Sequence, residues 1–116
     1  MNILTKEQIV ARNNVEIVGS GPKTLMLAHG FGCDQNMWQY LAPSLREHYK
    51  LVLFDYVGSG KSQISAFSES RYATLEGYAR DVNEICQALD RQQIHFVGHS
   101  VSCTIGMIAA LEDPER

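Results

Sequence analysis

The residue of this chain with the clearest chemical use is a serine that lies between an apolar run and a helical run. Residues 94–97 lead into Gly98, His99 and Ser100, and residues 103–110 then have the composition of a helix. A strand, one sharp turn and a helix would lift the serine hydroxyl clear of the sheet, as in a nucleophile elbow. The N–H groups that begin the helix could then stabilise the oxygen that becomes negative during acyl transfer.

The elbow pattern is matched nearly, but not completely. The pattern Gly-x-Ser-x-Gly has a small residue two positions before and two positions after the serine, because strand and helix approach closely there. Gly98 meets the first requirement, whereas Ser102 stands where the second glycine is expected. A serine before a helix is also a common N-cap residue, so this turn alone leaves both interpretations of Ser100 open.

A second glycine-rich turn, residues 58–62, resembles a phosphate loop at first sight. That motif needs Gly-x-x-x-x-Gly-Lys-Ser/Thr, but Asp55 stands five residues before Gly60, and its carboxylate would oppose a phosphate. Residues 63–70 also lack the helical pattern that should follow the lysine. We therefore interpret these glycines as a tight loop after a strand, and a nucleotide hydrolase is disfavoured.

The elements that must position Ser100 are predicted from the apolar pattern. Continuous apolar runs at 24–28, 51–54 and 94–97 predict three buried strands. The clearest helix covers 74–89, where apolar residues recur at three- and four-residue steps. Buried strands that alternate with helices favour an α/β fold with a mostly parallel sheet, right-handed crossovers and helices on both faces.

Two further segments carry weaker patterns. Residues 36–46 have helical spacing, but Pro43 should bend or split the helix, and Trp38 is predicted to pack it against the sheet. Residues 8–12 and 15–18 are β-prone runs on either side of two asparagines. Asparagine tolerates left-handed backbone, so these runs predict an N-terminal β-hairpin.

Length and composition exclude several classes of protein. The chain has 116 residues, 45% of them hydrophobic and 20% charged, which is ordinary for one small globular domain. The formal net charge is -3 and the ten basic residues are scattered, so neither nucleic acid nor a membrane surface is an expected partner. The first eight residues lack the apolar segment of a secretory signal.

The cysteines predict a reducing compartment. They are odd in number and have no metal-ligand spacing, and Cys86 falls on the apolar face of the predicted helix 74–89. Reduced thiols in a cytoplasmic protein are the expected state. No metal ion and no cofactor is predicted.

Three separated motifs together resemble the α/β-hydrolases. They are His29-Gly30-Phe31-Gly32, Phe54-Asp55-Tyr56-Val57-Gly58-Ser59-Gly60 and Val97-Gly98-His99-Ser100-Val101. The likeness covers about residues 12–116 and is greatest to the subgroup of the bacterial stress-sigma-factor regulator RsbQ and the plant karrikin and strigolactone receptor hydrolases. The three motifs also occur in the order that the family has.

The resemblance implies a Ser–His–Asp triad with Ser100 as the nucleophile. It also implies an oxyanion hole made by the backbone N–H groups of Phe31 and Val101, and Phe31 would form an apolar wall of the pocket. His29 would shape its loop, and Asp55 would be a structural hydrogen-bonding residue rather than the triad acid. A serine at the elbow disfavours the dehalogenase and epoxide-hydrolase branches, which have aspartate there.

The triad acid and histidine of the family lie downstream of the part that this chain matches. The apolar strand that carries Ser100 also has no later strand in the chain to pair with, which would leave an open edge. We therefore expect residues 1–116 to form the N-terminal half of a single α/β-hydrolase core domain and to be inactive alone.

Two functions follow from the resemblance. The first is a serine hydrolase that acts on a small ester, lactone or similar acyl substrate. The alternative is a signalling protein of the same fold, which binds a small ligand and a regulatory protein partner, as a stress sigma-factor regulator does. Both would keep the triad, so the sequence does not separate them.

Overall fold

The computed structural model describes residues 4–89 and 93–113. Within these ranges lie four strands, Glu16–Val18 (β1), Thr24–Ala28 (β2), Lys50–Leu53 (β3) and His95–Gly98 (β4). The same part of the chain contains five α-helices, Lys6–Arg12 (α1), Ala42–Leu45 (α2), Glu69–Tyr72 (α3), Leu75–Ala88 (α4) and Val101–Glu112 (α5). Two short 3₁₀ helices cover Gln35–Trp38 and Ile64–Ala66.

The strands form one mostly parallel sheet in the order β1-β3-β2-β4. Strand β2 is central and pairs in parallel with both β3 and β4, whereas β1 pairs antiparallel with β3. The three strands predicted from the apolar runs are therefore present and parallel. Their carboxyl ends meet at one edge of the sheet, where the residues that follow β2, β3 and β4 come together.

Alternate residues of the strands face two separate apolar cores. On one face, Met26 and Val52 pack with helices α4 and α5 in the larger cluster. On the other face, Leu27 and Leu51 pack with Trp38. Helices therefore cover both faces, as the alternation of strands and helices predicts, and Trp38 packs its short helix against the sheet.

The predicted N-terminal hairpin is wrong. Residues 6–12 form helix α1, which begins with a capping box: the hydroxyl of Thr5 accepts from the N–H of Gln8, and the side chain of Gln8 accepts from the N–H of Thr5. Asn14 does adopt the left-handed backbone, with φ 46°, but this turn joins a helix to a strand. Strand β1 then pairs with β3 instead.

Pro43 divides the segment predicted as one bent helix. A 3₁₀ helix ends at Trp38, and α2 begins at Ala42 with the proline in its first turn. A proline at that position has no N–H to leave unpaired, whereas further into a helix it would remove a hydrogen bond. Of the two outcomes that the sequence predicts for Pro43, a bent helix or a split one, the structure has the split helix.

Buried charges tie the N-terminal helix to helix α4. Arg12 lies 2.7 Å from Glu84 and 3.3 Å from Asp81, and Arg71 of α3 contacts the same two carboxylates. Tyr72 donates to Asp81 at 2.6 Å, and its burial together with that carboxylate raises the pKa of the phenol. Since two cations face two anions, the cluster holds helices together and leaves no net charge for a ligand.

Candidate active site

Ser100 occupies a strained turn between β4 and α5. Its backbone has φ 59° and ψ −122°, in the left-handed region that an L-residue rarely adopts. Such a conformation costs on the order of 1–3 kcal/mol and is found at functional sites when the surrounding structure holds it. The predicted strand, sharp turn and helix are therefore all present around this serine.

The side chain of Ser100 does not cap the helix. Ser100 occupies the N-cap position of α5, yet its hydroxyl makes no capping hydrogen bond there. The residue is exposed, and within the described part of the chain no hydrogen bond holds its side chain. The N-cap interpretation, which the sequence leaves open, therefore does not explain why a serine stands here.

Two glycines allow the backbone to close around the elbow. A Cβ atom on Gly98 would lie 2.8 Å from the carbonyl carbon of Ser102, so no larger residue fits between β4 and α5. A Cβ atom on Gly30 would lie 2.4 Å from the ring of His99 and 3.4 Å from the Cβ of Ser100. The turn after β2 therefore lies directly beside the elbow.

The side chain of Ser102 is accommodated without loss of the elbow. The residue is fully buried, and its hydroxyl lies 2.8 Å from the phenol oxygen of Tyr56 and 2.5 Å from the carbonyl oxygen of His29. The position where the pattern has glycine thus holds a hydrogen-bonded side chain. The sequence contains no local signal for this contact, because Tyr56 is 46 residues away along the chain.

His29 shapes the turn after β2, as predicted. Its ring is 1% exposed, and Nδ1 donates to the carbonyl oxygen of Gly30 at 2.8 Å while Nε2 accepts from the N–H of Tyr56 at 3.1 Å. These two partners require the neutral ring with its proton on Nδ1. Both ring nitrogens are therefore occupied, which excludes His29 as the base for a neighbouring serine.

The predicted oxyanion residues line one cleft of about 380 Å³. Phe31 lies at the tip of the turn after β2, where its ring is 92% exposed, and Val101 begins α5 directly after Ser100. The remaining wall is mostly apolar and includes Val57, Phe67, Leu75, Tyr78 and Ile105. None of the residues that line this cleft is an aspartate, glutamate, lysine or arginine.

Asp55 is held in a complete set of hydrogen bonds. The carboxylate accepts from the N–H of Gln35 at 2.8 Å, from the side chain of Asn14 at 2.9 Å and from the N–H of Lys61 at 3.0 Å. The residue is 1% exposed. Asp55 is therefore a structural residue, as predicted from the sequence.

The same contacts exclude a phosphate loop. The N–H of Lys61, which in such a loop would face a phosphate, is donated to Asp55. A Cβ atom on Gly60 would lie 2.5 Å from the same carboxylate, so the glycine-rich turn is wrapped around an anion that belongs to the protein. Residues 61–63 also form no helix.

The predicted triad partners of Ser100 are not among the residues that the structure brings together here. His29 and Asp55 are occupied by other contacts. His48, His95 and His99 are exposed, and among the described residues no hydrogen bond holds their side chains. Over residues 4–89 and 93–113, no group of three His, Cys, Asp or Glu side chains is arranged to hold a metal ion. Nor is any helix in those ranges long and apolar enough to cross a membrane.

Comparison with known proteins identifies the family to which the fold belongs. The sequence model of the alpha/beta hydrolase fold matches residues 23–116. The chain belongs to this family. The match begins just before β2 and includes both the turn at Phe31 and the elbow at Ser100.

Relatives of this α/β-hydrolase chain include two plant proteins. It is 48% identical over 103 residues to the Karrikin insensitive 2 receptor CA of Petunia hybrida, and the aligned region covers 89% of this chain and 38% of the relative. It is 40% identical over 112 residues to the Strigolactone esterase D14 of Arabidopsis thaliana, and the aligned region covers 97% of this chain and 42% of that protein.

A solved structure shows the same arrangement of elements. A hydrolase from Oleispira antarctica superposes with a TM-score of 0.95 at 50% sequence identity, over 100% of this chain and 42% of the hydrolase. The chain therefore spans about two fifths of the length of the relatives that it matches. Strand β4, at the edge of the four-stranded sheet, has one side without a partner strand among the described residues.

Proposed function

We propose that the protein is a serine hydrolase of the α/β-hydrolase family and that it acts on a small ester, lactone or similar acyl compound. The observation that carries this proposal is the backbone of Ser100, which is strained at φ 59° while its hydroxyl is left without a capping role. Structure that holds such strain without using the side chain for stability is typical of a nucleophile elbow.

In the proposed reaction, the Oγ of Ser100 attacks the carbonyl carbon of the substrate. The serine proton passes to a histidine supplied from outside residues 1–116, which an aspartate orients. The carbonyl oxygen becomes negative and accepts from the N–H groups of Phe31 and Val101. Collapse of the tetrahedral intermediate breaks the bond between the carbonyl carbon and the leaving oxygen, and the histidine gives its proton to that oxygen. Water then attacks the acyl-serine by the same steps and releases the acid.

The walls of the cleft support a neutral substrate. Its side chains are mostly aromatic or aliphatic, and no charged side chain of the residues lining it would compensate a charge on the ligand. We therefore propose that the acyl group is uncharged and largely apolar.

The test is turnover of p-nitrophenyl acetate by the full-length protein and its Ser100→Ala variant. We expect the variant to lose at least about a thousandfold in kcat, because the nucleophile is removed. Ser70→Ala is the matched control, since Ser70 is an exposed serine of α3, and it should leave kcat unchanged. Turnover that survives in Ser100→Ala would contradict the proposal.

A second candidate is a signalling role that uses the same pocket to bind a small ligand and then a regulatory protein. The observation that favours it is the 48% identity to a protein named as a receptor. A stress sigma-factor regulatory protein is the partner that the sequence resemblance suggests. Turnover by the full-length protein that rises when such a partner is added supports this role, whereas fast turnover without it favours the plain hydrolase.

We also propose a cytoplasmic location. The support comes from the cysteines: they are odd in number, and Cys86 is packed in the larger core between the sheet and helix α4. Fractionation of the source cells, followed by immunoblotting of the full-length protein, would test this. Recovery in a secreted or membrane fraction would contradict it.

A further inference from the structure

We propose that Ser102 and Tyr56 are positioning residues which hold the two halves of the oxyanion hole in register. They do so through a hydrogen-bonded chain that runs from the phenol of Tyr56 to the hydroxyl of Ser102 and on to the carbonyl oxygen of His29. The inference rests on the proposed function, since it assumes that the N–H groups of Phe31 and Val101 bind the oxyanion.

The direction of the chain follows from counting protons. The carbonyl oxygen of His29 can only accept, so the single hydroxyl proton of Ser102 is donated to it. The 2.8 Å contact between Ser102 and Tyr56 then requires the phenol as the donor. Burial raises the pKa of Tyr56, which keeps that proton in place over the neutral range.

Tyr56 is linked to His29 by hydrogen bonds at two points. Its backbone N–H donates to Nε2 of the His29 ring at 3.1 Å, and its phenol reaches the His29 carbonyl through Ser102. The ring of Tyr56 also lies edge-on to the imidazole, with 4.9 Å between the ring centroids. All three residues are at most 5% exposed, so water does not compete for these contacts.

The position of the chain of hydrogen bonds gives it a role beyond filling space. His29 is two residues before Phe31, and Ser102 is the residue after Val101. The Ser102–His29 bond therefore joins the backbone that presents one proposed oxyanion donor to the backbone that presents the other. Donors act on an oxyanion only when they lie about 2.7–3.1 Å from it, so a small displacement between the two segments weakens both.

The test compares Ser102→Ala, Tyr56→Phe and the double variant of the full-length protein, each assayed for kcat, KM and melting temperature. Ser102→Ala leaves the phenol of Tyr56 and the carbonyl of His29 unpaired in the interior, so the melting temperature falls. We expect kcat to fall about tenfold with KM unchanged, because the oxyanion donors are displaced and substrate contacts are not.

The double variant separates positioning from stability. Tyr56→Phe in the Ser102→Ala background removes the unpaired phenol, so part of the melting temperature is regained. The link between the two segments stays broken, so kcat remains about tenfold low. A kcat that recovers together with the melting temperature, or one that never falls in Ser102→Ala, would overturn the inference.

One control and one alternative variant keep this result distinct from a failure of the proposed function. Loss of turnover in Ser100→Ala shows that the elbow serine is the nucleophile, whatever Ser102 does. If Ser102→Ala does not fold, Tyr56→Phe alone serves as the test: the loss of the donor that orients Ser102 should lower kcat about threefold at unchanged KM. An unchanged kcat in that variant would equally overturn the inference.

Discussion

The loop after β3 and the elbow after β4 each place a polar residue at the same distance from the strand end, but in opposite environments. In each, a polar residue stands two positions beyond the last residue of a parallel strand, Asp55 in the first and Ser100 in the second. Asp55 is buried and accepts three hydrogen bonds, whereas Ser100 is exposed, strained and without a capping bond. Asp55 is therefore used for stability, and we propose that the Ser100 hydroxyl is kept available for chemistry.

The largest change in stability should come from Asp55, the residue whose hydrogen bonds are all made within the protein. In Asp55→Asn, whichever way the amide points, its nitrogen faces an N–H donor of Gln35 or those of Asn14 and Lys61. We expect the full-length protein to lose about 3 kcal/mol of unfolding free energy in urea.

The matched control for that variant is Asp34→Asn. Asp34 accepts one hydrogen bond, from the N–H of Asn36 at 2.8 Å, at the start of a 3₁₀ helix near the surface. Because one amide oxygen can still accept that bond, the loss should stay well below 1 kcal/mol. A loss at Asp55 no greater than that at Asp34 would show that the buried carboxylate is not a structural centre.

The next effect concerns Tyr56, which joins the two regions. Burial raises the pKa of its phenol above the unfolded value of about 10, so the folded state keeps a proton that the unfolded state releases. The contribution is fully present below pH 10 and is lost above it, by up to about 1.4 kcal/mol for each pH unit. Urea unfolding of the full-length protein between pH 9 and 11 measures this slope.

Tyr56→Phe is the control for the alkaline slope. The variant has no phenol at this position to titrate, so its unfolding free energy should fall less steeply above pH 10 than that of the unaltered protein. Equal slopes in the two proteins would mean that the Tyr56 phenol is not buried as described.

The smallest change in stability should come from Ser100, whose backbone is strained. Ser100→Gly replaces a residue held at φ 59° by one that adopts this conformation freely, so the unfolding free energy should rise by up to about 1 kcal/mol while turnover is lost. Ser70→Gly, in an exposed turn of α3, should instead lower stability by about 0.5 kcal/mol. A fall in stability at both positions would argue against strain at the elbow.

Local patterns were sufficient to predict the parts of the fold that local forces determine. The apolar runs predict β2, β3 and β4 to within a residue or two, and the helical spacing predicts α4. The N-terminal helix is not among the predicted elements although its signal is local: Thr5 and Gln8 have the spacing of a capping box. The β-prone composition of residues 8–12 predicts a strand, whereas these residues belong to helix α1.

Contacts between distant residues account for what the sequence could not show. Asn14 reaches Asp55 across 41 residues, and Ser102 reaches His29 across 73. Neither contact has a pattern of spacing, because each depends on how the ends of different strands meet. The elbow itself was recognisable, whereas the reason that serine is tolerated at position 102 became visible only once Tyr56 was placed beside it.

The central claim is that Ser100 is the nucleophile, and a covalent probe tests it most directly. The full-length protein is treated with a fluorophosphonate, digested and mapped by peptide mass spectrometry. We predict a single adduct on Ser100, because among residues 4–89 and 93–113 only this serine combines an elbow backbone with an unengaged hydroxyl beside the Phe31 turn. An adduct on Ser59, Ser62 or Ser102 with Ser100 unlabelled would contradict it.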